Sequence, residues 1–480
     1  MAIHPVEAIF HPRSIAVVGA SGNPSSWGYG FLAPLLEFGY QGKIYPVNLK
    51  HSEVLGIKAY PSLGEIPDPV DYVISCIPAS EVLKMLEDCS PRGVKTVHLF
   101  TARFSETGHQ QAAELEQEIL REAKKRGIRL IGPNCMGLYY PREGISFSDA
   151  LSKQSGTVGF ISQSGQAAEE LVRLAAPRGV YFSKVISYGN ALDLNECDFL
   201  DYFSQDEKTN MILMYVEGIR NGQRFIDSLG QAASAKPVII LKGGRGESGG
   251  RAVASHTASL AGSQMIWEAL ITQAGALSAE NLDELVDVAA AFSFLPPING
   301  RKVGITGGGG GASVLAADQC EEAGLDVIPL PMEIREELRI RGITIWDWIG
   351  NPADMSIRED PNFCPGDMLE VMAKNKNFDF LMAIMYEPHH KRQQGMSADA
   401  YLEQYKLAGG CPKPLLAVAA EKGLGIEDFD HWSWKIMCEV RTKLLAAHIP
   451  FYPTIKRAAK AAKKLIDYYQ QESSKPLSPL

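Results

Sequence analysis

The residues best suited to covalent chemistry surround His256, in the run R-A-V-A-S-H-T-A-S-L-A-G that extends from Arg251 to Gly262. Small side chains on both sides of the imidazole leave room for a second reactant, which suits a histidine nucleophile. An isolated histidine in such a loop is more often a surface or N-capping residue. The nucleophilic interpretation therefore depends on which other groups accompany His256.

One such group is Glu217, which follows the apolar segment Met211 to Val216 directly. The segment predicts a buried strand, so Glu217 is expected at a strand end. A carboxylate in that position can hold one ring nitrogen of a histidine and leave the other free to attack. An ordinary exposed carboxylate at a strand end is an equally open interpretation.

Two further stretches predict seats for an anion. Thr157 to Ser162 reads as a strand, and Ser164 and Gly165 turn directly into a helix, whose first amides and positive dipole end favour negative charge. The same order of strand, glycine turn and helix recurs from Val303 through the five glycines that end at Gly311. Two such helix starts aimed at one point would hold a phosphoryl group on its way to or from His256 without a metal, whereas a flexible linker is the alternative for the glycine run.

The first part of the chain predicts a nucleotide-binding sheet. Ser14 to Gly19 is a short apolar strand that ends in a glycine turn, and further strands alternate with helices as in a doubly wound parallel sheet. The next strand ends in Asn48 and Lys50, where a nicotinamide dinucleotide site would have an acidic residue for the ribose. This disfavours an NAD-dependent oxidoreductase and favours a nucleotide with additional phosphates.

A tight loop, G-P-N-C-M-G from Gly132 to Gly137, places Asn134 and Cys135 near the strand ends of this sheet. Cys135 could be a reactive thiol, but a lone cysteine is more often structural.

Composition bounds the remaining possibilities. A chain of 480 residues with 45% apolar residues predicts about three globular domains. The net charge of −9, without a dense basic run, argues against nucleic acid, and eight scattered cysteines argue against a disulfide framework or a zinc site. No segment reaches 18 uninterrupted apolar residues and no signal peptide is evident, so we expect a cytoplasmic protein that does not interact with a membrane.

Together the motifs resemble a known family. S-I-A-V-V-G-A-S, G-P-N-C-M-G, I-S-Q-S-G, Y-V-E-G-I, A-S-H-T-A-S-L-A-G, the glycine run and I-P-F-Y-P occur in the order found in the α subunit of NDP-forming acyl-CoA synthetases, relatives of succinyl-CoA synthetase. The resemblance covers nearly the whole chain. It implies an α/β fold with a Rossmann-like CoA-binding domain at 1–150, two flavodoxin-like domains at 151–298 and 299–470, and a tail at 471–480.

The resemblance also implies roles for individual residues. His256 resembles the phosphorylated histidine, and Glu217 resembles the carboxylate that orients it. The phosphate-binding helix starts would be formed by Ser164, Gly165, Gly308, Gly309 and Gly310. CoA would be bound by Gly19, Ala20, Ser21, Asn48, Lys50, Ile77 and Pro78, with Asn134 and Cys135 near its thiol.

The family's reaction takes acyl-CoA and phosphate to an acyl phosphate and CoA, then passes the phosphoryl group to histidine and on to ADP. The chain ends before any ATP-grasp domain, so we expect ADP or ATP with Mg²⁺ on a separate ATP-grasp β subunit. We also expect a small carboxylic acid or its CoA thioester as substrate and a homodimer or hetero-oligomer as assembly. A non-catalytic CoA-binding regulatory protein on the same scaffold is the alternative.

Three positions depart from the family pattern. Ala258 and Arg103 stand where glycine is common, and Gly307 stands where asparagine is common. These changes could reshape the phosphohistidine turn and the pocket for CoA or the acyl group.

Overall fold

The computed structural model describes residue 4 and residues 6–251, 264–356, 363–388, 393–407, 410–419 and 431–474. The chain divides into two compact units, Met1–Leu285 and Val286–Leu480. Each unit is built on parallel β-sheet, as the sequence predicts for an α/β protein.

The first unit begins with a five-stranded parallel sheet of strand order β2-β1-β5-β6-β7. From β1, the chain continues to β2 on one side of the sheet and then crosses to β5 on the other side. The loops after β1 and its neighbours therefore separate, and the crevice between them is where doubly wound sheets bind ligands. A hairpin, β3 and β4, lies outside the sheet. The elements are α1 Glu7–Phe10, β1 Ser14–Val18, α2 Trp27–Glu37, β2 Lys43–Val47, β3 Glu53–Val54, β4 Ile57–Lys58, β5 Tyr72–Ser75, α3 Val82–Cys89, β6 Thr96–Leu99, α4 Gln110–Lys125 and β7 Arg129–Ile131.

The turn after β1 approaches α2 closely. Gly19 has φ of +89°, and a Cβ on Gly28 would lie 1.9 Å from the Gly19 carbonyl oxygen. Only glycine at position 28 allows the helix to begin so near this turn. The pair therefore fixes the shape of the crevice at the end of β1.

A second sheet in the same unit has the order β13-β12-β11-β9-β10-β8. Five of its strands are parallel, and β8 joins the edge antiparallel to β10. Because β8 is Gly137–Tyr139, the predicted first domain of residues 1–150 contributes a strand to this sheet. The elements are β8 Gly137–Tyr139, β9 Val158–Ser162, α5 Gly165–Ala175, β10 Phe182–Ser187, α6 Glu196–Gln205, β11 Met211–Val216, α7 Gly222–Ala235, β12 Val238–Lys242, α8 Gln264–Gln273, β13 Leu277–Ala279 and α9 Leu282–Phe294, within which the division into units falls.

The second unit contains a parallel sheet of order β15-β14-β16-β17-β18 with apolar cores on both faces. Along β16, Leu381, Ala383 and Met385 face one core, and the alternate residues face the other. This two-sided burial explains why these strands read as continuous apolar runs. The elements are β14 Val303–Gly308, α10 Gly310–Glu322, α11 Met332–Ile340, β15 Ala353–Asp354, α12 Pro365–Lys374, β16 Phe380–Met385, α13 Ala398–Glu403, β17 Leu415–Ala419, α14 Trp432–Ala446, β18 Phe451–Tyr452 and α15 Ile455–Ser474.

Within the described ranges, no helix is both long enough and apolar enough to cross a bilayer.

The packing of Gly28 yields a matched test. We expect Gly28→Ala to lower the free energy of unfolding by about 2 kcal/mol or more, because the new methyl group would overlap the Gly19 carbonyl and neither backbone can easily move. CoA titration should also show weaker binding if the distorted turn lines its site. Gly30→Ala, two residues further along α2, adds a methyl group with nothing within 4 Å and should be tolerated in both measurements. Equal melting temperatures for the two variants would contradict this account.

Candidate functional site

A cavity of about 490 Å³ opens at the carboxyl ends of β1 and β2. Five residues predicted to bind CoA line this cavity: Gly19, Asn48, Lys50, Ile77 and Pro78. Lys84, on α3, adds a second exposed amine to the lining. The cavity therefore combines a glycine turn with two lysines and two carboxylates, Glu81 and Asp88, and its amines could bind phosphate groups of a ligand.

Three further contacts shape the rim of this cavity, which we call the nucleotide cavity. Asn48 donates from Nδ2 to the Ala20 carbonyl at 2.8 Å, and its Oδ1 accepts from the Lys50 amide at 2.8 Å. The Ser21 hydroxyl accepts from the Asn23 amide at 3.1 Å. Asn48 thus joins the turn after β1 to the loop after β2.

The loop that contains Asn134 and Cys135 follows a cis Gly132–Pro133 bond. Asn134 has φ of +59°, and its amide donates to the Thr101 carbonyl at 3.0 Å. Cys135 is only 3% exposed, and burial raises the pKa of its thiol. Cys135 is therefore a packing residue rather than a reactive thiolate.

The buried side chain of His98 contacts the backbone of this loop. Its Nε2 lies 2.9 Å from the Cys135 carbonyl oxygen, and burial lowers the pKa of His98 to about 4. The ring is neutral at pH 7, so Nε2 carries a proton and donates to that carbonyl.

Glu217 directly follows the last residue of β11, as predicted, and is buried with 6% exposure rather than exposed. The Tyr215 hydroxyl donates to its Oε1 at 3.2 Å. Gln163, at the end of the neighbouring strand β9, accepts from the amides of Glu217 and Gly218 at 2.7 and 3.1 Å. A side-chain amide therefore clamps the loop after β11 to the loop after β9.

The start of α5 lies directly beside this clamp. Ser164 is the N-cap, and its hydroxyl accepts from the Ala167 amide at 3.2 Å. The earlier amides of Gly165 and Gln166 cannot be paired within the helix, which leaves them for an external acceptor. A Cβ on Gly165 would lie 2.6 Å from Met136 Cγ, so the Asn134–Met136 loop packs against the same helix start.

His256 and Ala258 lie outside the described residues. Lys242, at the end of β12, donates to the Glu217 carbonyl at 2.6 Å and lines a cavity of about 230 Å³ with Gly218 and Gln264. Burial lowers the pKa of Lys242. Gln264, the first described residue after the histidine segment, thus shares a cavity with the loop that follows Glu217.

In the second unit, the glycine run is partly strand. The sequence places Gly308 with Gly309 and Gly310 in a turn, but Gly308 is the last residue of β14, Gly309 is the N-cap and Gly310 begins α10. The strand therefore extends two residues beyond its predicted end at Thr306, and the helix begins within the glycine run rather than after it. The hydroxyls of Thr306 and Ser313 beside it are buried and have no hydrogen-bond partner among the described residues.

The backbone conformation accounts for two positions at which this sequence differs from the residue common in the family. Gly307 has φ of +99°, and a Cβ there would lie 2.1 Å from the Ile384 carbonyl oxygen, so an asparagine does not fit this position. Arg103 has φ of +78°, in the left-handed region that glycine adopts without strain. The backbone at 103 therefore keeps the conformation that a glycine would favour.

The sequence did not single out Asn190 or Arg220. Asn190 is buried after β10, and its carbonyl accepts from Arg220 Nη2 at 2.7 Å. Its side chain donates to Glu106 at 2.7 Å and accepts from Asn134 Nδ2 at 3.4 Å. These contacts cross between two sheets, so no periodicity in the sequence could have indicated them.

Glu196, the first residue of α6, is a buried titratable group that interacts electrostatically with Arg220. It is 3% exposed, and burial raises its pKa to about 7 against a weaker opposing effect of Arg220. The nearby Tyr188 hydroxyl is fully buried and has no hydrogen-bond partner among the described residues.

Comparisons with known proteins assign two ranges of the chain to known domain families. Residues 13–141 match the model of a CoA-binding domain, and residues 155–292 match that of a succinyl-CoA ligase-like flavodoxin domain. The matched ranges contain the nucleotide cavity and the strand ends around Glu217.

Two curated relatives and one solved structure cover most of the chain. The α subunit of Pyrococcus furiosus acetate–CoA ligase (ADP-forming) II is 40% identical over 80% of this chain and 83% of its own length. The α subunit of isoenzyme I from the same organism is 35% identical over 96% of this chain and 97% of its own length. The dinucleotide forming acetyl-coenzyme A synthetase 1 of Candidatus Korarchaeum cryptofilum, solved with phosphate and ADP, has a TM-score of 0.79 at 32% identity and covers 98% of both chains.

Glu196 predicts a pH dependence of stability. Its native pKa of about 7 exceeds the 4.5 of an unperturbed glutamate, so the native protein binds more protons in that window. The associated stability is complete below pH 4.5 and is lost as the pH rises through 7, to a total on the order of 3 kcal/mol.

Glu196→Gln should therefore raise the free energy of unfolding at pH 8 relative to the wild type, with a smaller difference at pH 5. Urea titrations at both pH values measure this, with Glu207→Gln, an exposed carboxylate just after α6, as the control. A difference that does not change with pH would refute the assignment.

Proposed function

The chain belongs to the family of ADP-forming acyl-CoA synthetase α subunits, and we propose that its first unit carries out both the thioester step and the phosphoryl transfer to histidine. Its relatives over most of its length are ADP-forming acetate–CoA ligases, so the chain is a subunit of an acid–thiol ligase that uses CoA, phosphate and a nucleotide. A non-catalytic regulatory role is not favoured, because these relatives are ligases.

A buried carboxylate and an open helix start lie at adjacent strand ends, and this juxtaposition supports the proposal most strongly. β9 and β11 pair directly, and Gln163, the residue that precedes Ser164, accepts a hydrogen bond from the Glu217 amide. An anion bound at the α5 start would therefore be close to the group that orients a histidine. The helix dipole and the free amides favour such an anion.

We assign CoA to the nucleotide cavity, which lies within the range that matches a CoA-binding domain. Gly19 lines the cavity without a side chain, and Lys50 and Lys84 offer positive charge for phosphates beside the carboxylates of Glu81 and Asp88. The thiol end would extend toward the loop of Asn134, which packs on the α5 start through Met136. This path brings a thioester to the anion seat.

In the thioester step, an oxygen of hydrogen phosphate attacks the acyl carbonyl and the carbon–sulfur bond breaks. The acyl phosphate forms, and the phosphate proton moves to the CoA sulfur, so the products are an acyl phosphate dianion and free CoA. The amides of Gly165 and Gln166 would stabilise the charge on the phosphate throughout.

In the transfer step, the unprotonated ring nitrogen of His256 attacks phosphorus and the bond from phosphorus to the acyl oxygen breaks. The carboxylic acid leaves as its anion. The other ring nitrogen keeps its proton, and Glu217 would stabilise the resulting positive charge. Dividing the exchange into covalent steps lowers each barrier.

The second unit offers a similar anion seat of its own. Gly309 and Gly310 begin α10, and the buried hydroxyls of Thr306 and Ser313 lie nearby without partners among the described residues. We assign this helix start to the phosphoryl group, with Gly308 holding the strand end that precedes it.

The relatives are α subunits, which implies a partner subunit. We assign to it an ATP-grasp domain that holds ADP or ATP with Mg²⁺, so that phosphorylated His256 meets the nucleotide there. Co-expression with a candidate β chain, followed by size-exclusion chromatography, would distinguish a hetero-oligomer from a homodimer of this chain.

We expect the purified chain, incubated with acetyl-CoA and ³²P-labelled phosphate, to acquire a label that is stable in alkali and lost in acid. His256→Ala should abolish the label, because no nucleophile remains at that position. His109→Ala, which removes an exposed histidine before α4, is the matched control and should be labelled like the wild type.

Label that persists in His256→Ala would refute the assignment of the nucleophile. CoA binding without label, across acetyl-, propionyl- and aryl-CoA thioesters, would instead favour the regulatory alternative.

A further inference from the structure

We propose that Arg220 is a phosphate-binding residue of the thioester step, whose guanidinium lies over the carboxyl end of β9 and holds the phosphate between the CoA thiol and the α5 helix start. The proposal rests on the proposed function and adds to it the cation that the reaction requires.

The strand order places the Arg220 side chain across the anion seat. Arg220 belongs to the loop after β11, and its Nη2 donates at 2.7 Å to the carbonyl of Asn190, in the loop after β10. β9 lies between these two strands, so they are separated by about 10 Å. The side chain therefore spans the end of β9, where Ser164 and Gly165 begin α5.

Asn190 is held on several sides, which makes it a fixed anchor for the guanidinium. Its amide donates to the Pro133 carbonyl at 3.0 Å, and its side chain contacts Glu106 and Asn134. A Cβ on the preceding Gly189 would lie 2.2 Å from the same Pro133 carbonyl, so the two loops are in direct backbone contact. Through Asn190, the position of Arg220 is tied to the loop expected to face the CoA thiol.

The guanidinium keeps donors for a ligand. Arg220 is exposed and forms no salt bridge among the described residues, although its charge acts on the buried Glu196. Arg224, one turn further along, is paired with Asp198 at 2.7 Å and with Asp201 at 3.6 Å. Since a guanidinium carries five N–H donors in a planar fork, one bond to Asn190 leaves others that match two phosphate oxygens.

The charge balance at this edge also calls for a cation. Phosphate at neutral pH is a mixture of the monoanion and the dianion, and Glu217 is a buried carboxylate three residues before Arg220. The helix start supplies about half a positive charge, and Lys242 adds an ammonium group that donates to the Glu217 carbonyl. A full positive charge at Arg220 would offset the repulsion between Glu217 and the incoming phosphate, and afterwards the charge of the acyl phosphate.

The full-length chain is labelled with ³²P-phosphate in the presence of acetyl-CoA. The test measures the phosphate concentration and the acetyl-CoA concentration that each give half-maximal labelling. Arg220→Gln should raise the phosphate concentration for half-maximal labelling about tenfold to a hundredfold, the effect of losing a charged hydrogen bond. The acetyl-CoA concentration for half-maximal labelling should change less than threefold. Arg220→Lys, which keeps the charge without the fork, should fall between the wild type and Arg220→Gln, and Arg224→Gln should leave phosphate dependence unchanged.

Wild-type phosphate dependence in Arg220→Gln would overturn the proposal. Equal losses for phosphate and acetyl-CoA together with a lowered melting temperature would also overturn it, because they would indicate a purely structural contact.

Calorimetric titration of inorganic phosphate into the CoA-saturated chain separates this proposal from the proposed function. If the wild type is not labelled but binds phosphate about tenfold more tightly than Arg220→Gln, the proposed reaction is refuted and the phosphate-binding role of Arg220 is supported. Equal phosphate affinities would refute Arg220 in either case.

Discussion

The side-chain amide of Gln163 connects the elements on which this site depends. By accepting from the amides of Glu217 and Gly218, it holds the loop after β11 against the start of α5. Parallel strands end at a common edge, but their loops are free to diverge unless a contact of this kind joins them. An isosteric carboxylate at position 163 would accept the same amides and place a second negative charge beside Glu217.

A similar arrangement joins the CoA-binding sheet to the second sheet. Met136 packs on Gly165, and Asn190 contacts both Asn134 and Arg220. These contacts occur where β8 leaves the predicted first domain and enters the second sheet. The loop assigned to the CoA thiol and the start of α5 are therefore in direct contact within the first unit.

Much of this could be predicted from local sequence. Glycine turns between apolar strands and helices identified the starts of α5 and α10, and the position of Glu217 followed from the apolar run before it. Gly19, Asn48 and Lys50 likewise follow apolar strands directly, so the sequence predicts a ligand site at these strand ends. Gly308 was assigned to a turn because a run of identical glycines contains no mark of where the strand ends.

The contacts that join separate strands could not be predicted. Asn190 and Arg220 meet only because β9 lies between β10 and β11, and this order is a property of the folded sheet. The left-handed backbone at Arg103 and the carbonyl of Ile384 that faces Gly307 are likewise tertiary constraints. They explain why glycine is required at position 307 and why Arg103 has a left-handed backbone.

The central claim is that one anion seat lies at the end of β9, between an amide-rich helix start and a guanidinium. A crystal structure of the chain with CoA and phosphate tests it most directly. The account predicts a phosphate within hydrogen-bond distance of the Gly165 and Gln166 amides and of the Arg220 guanidinium. Phosphate bound elsewhere in the first unit, with the α5 start closed by another side chain, would contradict it.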